Sequence, residues 1–218
     1  MEHSDVVTFF HEFGHLMHHI LGSQVRFAAE AGFNCEWDFV ETPSQVFEAW
    51  AWSPDVLCEF ARHHETGEPI PGTLVTKMND ADRLGRAVST MRQMYLASVS
   101  LALHQRETSG LDPDQVIKSI AEMLSPFPHD ENTHLVTNFG HLNGYSAIYY
   151  TYMWSLVCAL EVLSVFKTQG MSDPEVTRRY VREIISKGGS VPADEMMQAF
   201  LDRPWSTEIL TSWVRGDI

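Results

Sequence analysis

The sequence predicts an all-α protein, and three observations support this fold class. Apolar residues recur at intervals of three and four between Asp80 and Arg106, which is the spacing of one face of a helix. Residues 146–169 form a long, mostly apolar stretch of helical length. Residues that start helices precede shorter apolar runs, as Asp112-Pro113 does. We therefore expect a single helical domain over residues 1–218.

The helices are expected in a definite order along the chain. The first begins at Ser4 or Asp5 and ends before Gly22, which can stop a helix. Further helices are predicted over residues 38–52, 55–65, 80–106, 113–124, 146–169, 174–187, 193–201 and 207–214. Residues 25–36 should form a connector with short extended pieces. Residues 125–138 should form a loop, because two prolines interrupt them.

Composition excludes several classes of function. The formal net charge is −14, so a nucleic-acid partner is not expected. No apolar run reaches the roughly 18–20 residues that a membrane-spanning helix needs, and the first residues lack the pattern of a signal peptide. The three cysteines are sparse and odd in number, which is poor evidence for disulfides. A cytoplasmic protein that does not bind membranes is expected.

The run His11-Glu12-Phe13-Gly14-His15 predicts a metal site on the first helix. Histidines four residues apart lie on one helix face, so both imidazoles can reach one ion. Glu12 follows His11 directly, and its carboxylate can flank the ion without binding it. From there it could accept a proton from a water that the ion activates.

A catalytic zinc needs a third protein ligand, and the spacing alone leaves more than one choice. Glu41 and Glu48 are seven residues apart on the second predicted helix and share one face; Glu41 is favoured modestly. His18 is about 10.5 Å along the first helix from His11, which is too far for one ion to join both. Asp38 can cap the second helix or form a hydrogen bond with a ligating histidine.

Three segments resemble the thimet oligopeptidase family of zinc peptidases, also called the M3 family. The first is the histidine run, extended to His18, and the second is Asp38–Gln45, with the sequence DFVETPSQ. The third, Phe139–Ser155, looks like the substrate-binding loop and following helix of that family. The similarity extends over nearly the whole chain, through Lys187–Ser190 near its C-terminal end.

This resemblance implies an all-α, zincin-like catalytic domain that cleaves peptide substrates and holds one Zn²⁺ per chain. Its implied residues are listed by role: His11, His15 and Glu41 as metal ligands; Glu12, Tyr149 and Tyr152 in catalysis; His141, Gly144 and Tyr145 in substrate binding; and Asp38 beside the ligands. The tyrosines are four and three residues apart, so on a helix they would share one face. A phenol of Tyr149 or Tyr152 would then stabilise the developing charge on the substrate carbonyl.

Two departures from the family pattern matter for function. The turn from His141 to Tyr145 is one residue shorter than in many family members. Members are usually about three times longer than this chain, and their additional region forms the other wall of a deep channel. The alternative prediction is therefore a zinc-binding catalytic half of a split or truncated peptidase. Such a chain would need a partner or a second copy, and a homo-oligomer is one way to supply it.

Overall fold

The computed structural model describes residues 1–218 and contains eleven helices. They are α1 (His3–Leu21), α2 (Thr42–Glu48), α3 (Pro54–Phe60), α4 (Gly72–Arg83), α5 (Arg86–His104), α6 (Pro113–Leu124), α7 (His141–Gly144), α8 (Thr151–Gln169), α9 (Pro174–Glu183), α10 (Ala193–Leu201) and α11 (Glu208–Arg215). The only strand-like pairing is an isolated bridge between Arg62 and Pro69. The predicted all-α class is confirmed.

The connector after α1 contains no β-strand, but Val25, Phe27 and Ala31 have extended backbone, so the segment does contain the short extended pieces that were expected. One short 3-10 turn, Gly22–Gln24, precedes this region, and a second, Ala28–Glu30, lies within it. The Gly32 amide donates to the carbonyl of Gly22 at 3.0 Å. The Gly189 amide donates to the carbonyl of Glu30 at 2.7 Å, so backbone hydrogen bonds to residues distant in the sequence, and not a neighbouring strand, hold the connector in place.

The second predicted helix is shorter than expected, because α2 begins at Thr42 rather than at residue 38. Pro43 lies in its first turn, where a missing backbone donor costs nothing. The residues 49–52 at its end form a 3-10 turn. Glu41 is consequently the N-cap residue of α2 and not part of the helix interior.

The single long helix expected over residues 80–106 is also wrong, because the chain breaks between α4 and α5. Gly85 has φ +85°, a left-handed conformation that glycine adopts without the steric penalty of a Cβ. The apolar periodicity continues across Gly85, so the sequence pattern did not indicate the break. Helix α4 begins at Gly72, before the predicted start.

The chain divides into two compact units, each with its own hydrophobic core. The first comprises Met1–Leu84 and Ser155–Ile218, and the second comprises Gly85–Trp154. Phe166 and Phe200 are among the fully buried residues of the first core, and Val99 and Ile117 among those of the second. No helix combines the length and the apolar character that crossing a membrane requires.

In the first unit, α1 packs directly on α2, and Gly14 lies at their crossing. A Cβ at Gly14 would lie 2.6 Å from Ser44 Cα and 3.1 Å from the Pro43 carbonyl oxygen. The 2.6 Å distance to a backbone atom is shorter than real Cβ contacts, so only glycine permits this approach. The close crossing places the start of α2 beside the histidines of α1.

Candidate metal centre

Three predicted ligands meet where α1 crosses the start of α2. The Nε2 atoms of His11 and His15 each lie 3.2 Å from the same oxygen, Oε2 of Glu41. The two imidazole rings have centroids 4.9 Å apart and are nearly perpendicular. One ring nitrogen from each histidine and one carboxylate oxygen therefore converge on a common point, with all ligand atoms within 4.8 Å of one another.

This donor set fits a divalent metal ion. Zinc with bonds of about 2.0–2.1 Å in tetrahedral geometry separates its ligand atoms by about 3.3 Å, close to the separations of the nitrogens from the Glu41 oxygen. The Glu41 side chain is buried, with 3% of its residue surface exposed. Burying a carboxylate is costly unless positive charge or donors compensate for it. A metal ion at this point would supply that charge.

Local structure fixes the position of the Glu41 carboxylate. The hydroxyl of Ser44 donates to the Glu41 backbone carbonyl at 2.8 Å and lies 3.3 Å from its Oε2 atom. Ser44 itself is fully buried at the crossing with α1. The short turn at the beginning of α2 thus orients the carboxylate before any ligand binds.

Glu48, the rival ligand in the sequence, contacts the other side of His11. Its Oε1 atom lies 2.6 Å from His11 Nδ1, so the two carboxylates approach opposite ring nitrogens. Burial lowers the pKa of His11, but hydrogen bonds with Glu41 and Glu48 outweigh that effect and raise it to about 9. The spacing of seven residues between Glu41 and Glu48 indicated that both could lie near the histidines. It did not indicate which glutamate would approach Nε2 of His11 and which would approach Nδ1.

The remaining predicted residues of this unit occupy different positions. Glu12 is exposed on α1 between the two predicted ligand histidines. His18 is fully buried, neither ring nitrogen has a hydrogen-bond partner, and burial lowers its pKa to about 4. Asp38 lies in the turns before α2, where its backbone carbonyl accepts a hydrogen bond from Ser155 at 2.8 Å.

The predicted substrate residues form an aromatic cluster in the second unit. The His141 ring centroid lies 5.1 Å from that of Tyr149 and 5.7 Å from that of Tyr152. Tyr145 stacks on Tyr152 at 5.5 Å. Tyr149 is buried, and burial raises its pKa. Gly144 is the last residue of the short helix α7, next to Tyr145.

The prediction that these tyrosines share one helix face is wrong in its geometry. Helix α8 begins at Thr151, so Tyr145 and Tyr149 precede it. Ser146 has φ +39°, a left-handed conformation that prevents the helix from extending back to Tyr145. The rings nevertheless cluster, because turns rather than a helix bring them together.

Known proteins resemble this chain over almost its full length. The sequence model of Peptidase family M3 matches residues 1–213. Thimet-like oligopeptidase of Dictyostelium discoideum is 34% identical over 205 residues, and oligopeptidase A of Escherichia coli is 33% identical over 206 residues. Each match covers 92% of this chain and 30% of the relative.

A more distant relative gives the same result. Mitochondrial intermediate peptidase of Homo sapiens is 30% identical over 209 residues, covering 96% of this chain and 29% of that protein. The chain thus spans about 30% of the length of the curated relatives it matches. The family match over residues 1–213 includes both the ligand cluster and the aromatic cluster. On this evidence, the chain belongs to peptidase family M3.

Proposed function

We propose that this chain is a zinc-dependent peptidase that hydrolyses peptide bonds, with one zinc ion held by His11, His15 and Glu41. The observation that carries this proposal is the convergence of two histidine nitrogens on one buried carboxylate oxygen, at 3.2 Å each. Two imidazoles and one carboxylate are the ligand set of several catalytic zinc sites, which leave one position open. Bound zinc would act as a Lewis acid toward water and the scissile carbonyl.

In the proposed reaction, Glu12 is the general base. Its carboxylate takes a proton from water while the water oxygen forms a bond to the carbonyl carbon of the substrate. The carbon–nitrogen bond then breaks, and Glu12 passes the same proton to the leaving amine. The immediate products are a carboxylic acid, which keeps the second hydrogen of the water, and an amine; a further proton transfer between them gives a carboxylate and an ammonium group, and Glu12 returns to its starting state. Its exposure between the two ligand histidines supports this role.

The aromatic cluster completes the proposal. A phenol of Tyr149 or Tyr152 would donate a hydrogen bond to the carbonyl oxygen as negative charge develops there. His141, Gly144 and Tyr145 would bind the substrate backbone. The residues 1–218 would then act as one catalytic domain, with Asp38 beside the ligands. A cytoplasmic location stays a prediction, because the relatives include organellar enzymes.

Three variants of the purified chain test this proposal with a short internally quenched peptide. Glu12→Gln should retain zinc, measured by elemental analysis, and lose about 10²–10⁴-fold in cleavage rate. His11→Ala should lose both zinc and cleavage. Glu59→Gln, an exposed glutamate on α3, is the matched control and should behave as wild type. Wild-type turnover by Glu12→Gln would overturn the assignment of the base.

A second candidate function is the zinc-binding half of a peptidase that is active only with further polypeptide. Exposed apolar side chains on the outer face of α1 favour this second function. Phe9, Phe13, Leu16 and Ile20 are 62%, 39%, 48% and 52% exposed, and their spacing aligns them opposite the buried face that carries His18. At about half exposure, they leave roughly 400 Å² of apolar surface uncovered. Contiguous exposed patches of this size are often functional.

We assign this face to further polypeptide, equivalent to the part of the relatives that this chain does not span. If so, the purified chain should bind zinc but not cleave peptides. Adding the part of Escherichia coli oligopeptidase A outside the match should then restore cleavage, and Ile20→Lys should prevent it. Leu74→Lys, at an exposed apolar position on α4, is the control. Cleavage by the chain alone, or a light-scattering mass of twice 24.8 kDa, would exclude this assignment.

A further inference from the structure

The second unit contains a cavity that the proposed reaction does not use. It has a volume of about 460 Å³ and lies between α5, α6 and the loop of residues 125–138. Its walls are mainly apolar and include Val88, Met91 and Ile117. Small-molecule sites typically have volumes of about 300–1,000 Å³ and apolar walls with a few polar groups. The cavity therefore has the size and character of a binding site.

The loop that closes the cavity is tied to α6 at two points. Lys118 Nζ lies 2.5 Å from Glu131 Oε1, and Asp114 Oδ2 lies 2.6 Å from His134 Nδ1. Exposed ion pairs of this kind are individually weak, but together they fix the loop against the helix at two points. The cavity is therefore formed without a ligand, as small-molecule sites usually are.

Arg92 supplies the distinctive charge of the cavity wall. Its guanidinium carbon lies 6.0 Å from the centroid of the Tyr95 ring, and it forms no ion pair with a carboxylate. The wall also contains His129, His134, which pairs with Asp114, and the Asp130 carboxylate, which accepts hydrogen bonds from the backbone and side chain of Asn132. A guanidinium group that has no carboxylate partner and lies beside an apolar cavity is complementary to an anion with an apolar body.

We propose that this cavity binds an apolar carboxylate, with the apolar body between α5 and α6 and the carboxylate on Arg92. Guanidinium groups bind carboxylates in a two-point geometry that ammonium groups do not match. Two sources share this chemistry: the C-terminal residue of a peptide and a free organic acid. The inference is independent of the proposed peptidase activity, because no metal ligand or catalytic residue lines the cavity.

Ligand titrations of the ¹⁵N-labelled full chain test this site by NMR. N-acetyl-phenylalanine should shift the backbone amides of Val88, Met91 and Thr133, which line the cavity. N-acetyl-phenylalaninamide has the same shape without the charge, so it should bind about fivefold more weakly, as expected for one exposed ion pair. 3-Phenylpropionate separates the two sources. If 3-phenylpropionate binds as tightly as N-acetyl-phenylalanine, the natural ligand is a free organic acid. If 3-phenylpropionate binds more weakly, the ligand is the C-terminal residue of a peptide. Both results support the site.

Two variants make the result decisive. Arg92→Gln should abolish the difference between the acid and the amide, whereas Arg106→Gln, an exposed arginine outside the cavity, should preserve it. Val88→Trp replaces an exposed side chain in the wall and should block all three ligands by filling the cavity. The proposal is overturned if the wild-type chain binds none of them up to their solubility, or binds the acid and the amide equally.

Discussion

The Nδ1 atom of His11 lies 2.6 Å from Oε1 of Glu48, while its Nε2 atom lies 3.2 Å from Oε2 of Glu41. One imidazole thus bridges two carboxylates that are seven residues apart. A carboxylate on one ring nitrogen holds the proton there and leaves the lone pair of the other nitrogen for a metal ion. In the proposed metal site, Glu48 would therefore act on a ligand histidine, whereas Glu41 would itself be a ligand.

Replacing Glu48 should weaken metal binding without removing the site. For Glu48→Ala we expect zinc affinity to fall about 10–100-fold, the usual effect of losing a carboxylate behind a ligating histidine. Glu41→Ala should lose more, because it removes a ligand and leaves the position empty. Competition with a fluorescent zinc chelator measures both, with Glu59→Ala as an exposed control. A larger loss in Glu48→Ala than in Glu41→Ala would reverse the two roles.

The sequence signals that place His11 beside His15 are local. Histidines four residues apart on a helix must share a face, and α1 ends at Leu21 as its glycine stop predicted. Helices α6 and α10 begin and end at the predicted residues, since each is bounded by turn-forming residues. The choice between Glu41 and Glu48 is not local. It depends on how closely α2 crosses α1, which a one-residue feature, Gly14, permits.

The aromatic cluster shows where sequence spacing fails. Intervals of four and three fit a helix, yet Tyr145 and Tyr149 lie in turns before α8. The left-handed backbone of Ser146 decides this, and serine gives no sign of such a conformation in a sequence. The cavity beside Arg92 was equally invisible, because its wall combines two helices and a loop that only tertiary packing brings together.

Gly14→Ala should destabilise the protein although alanine favours helices. The added Cβ would lie 2.6 Å from Ser44 Cα, so α1 and α2 would have to separate, at a cost of about 1–3 kcal/mol in unfolding free energy. Zinc affinity should fall as well, because separation moves the histidines from Glu41. Gly72→Ala on α4 meets no atom within 4 Å and should be neutral or stabilising. Urea unfolding distinguishes these outcomes, and equal stability of both variants would contradict the packing argument.

Tyr180→Phe should stabilise the first unit. The Tyr180 ring is buried between Phe166 and Phe200, but its hydroxyl has no hydrogen-bond partner. Removing a buried, unpaired polar group recovers its desolvation cost, about 1 kcal/mol, while the ring contacts remain. Urea or thermal unfolding at neutral pH gives the measurement. A loss of stability would mean that the hydroxyl has a bound water or another partner.

His18 should make folding stability depend on pH. Burial holds the pKa of its imidazole at about 4, below the value of about 6.5 in an unfolded chain. Between these two pKa values, the unfolded chain therefore binds more protons than the folded chain. The stability that neutral His18 provides is complete above about pH 6.5 and is lost as the pH falls toward 4. Between about pH 7.5 and 4.5, the loss from this group should be about 2–3 kcal/mol.

A pair of histidine variants isolates this contribution. His18→Met keeps a similar volume and has no titratable group, so the decrease in unfolding free energy on acidification should be smaller than in wild type. His64→Met, at an exposed position, should keep the wild-type decrease. Urea unfolding with a chelator present keeps metal occupancy from changing with pH, and comparing differences between two pH values cancels any packing cost of the substitution. An unchanged pH dependence in His18→Met would show that its imidazole is protonated or hydrogen-bonded in the folded chain.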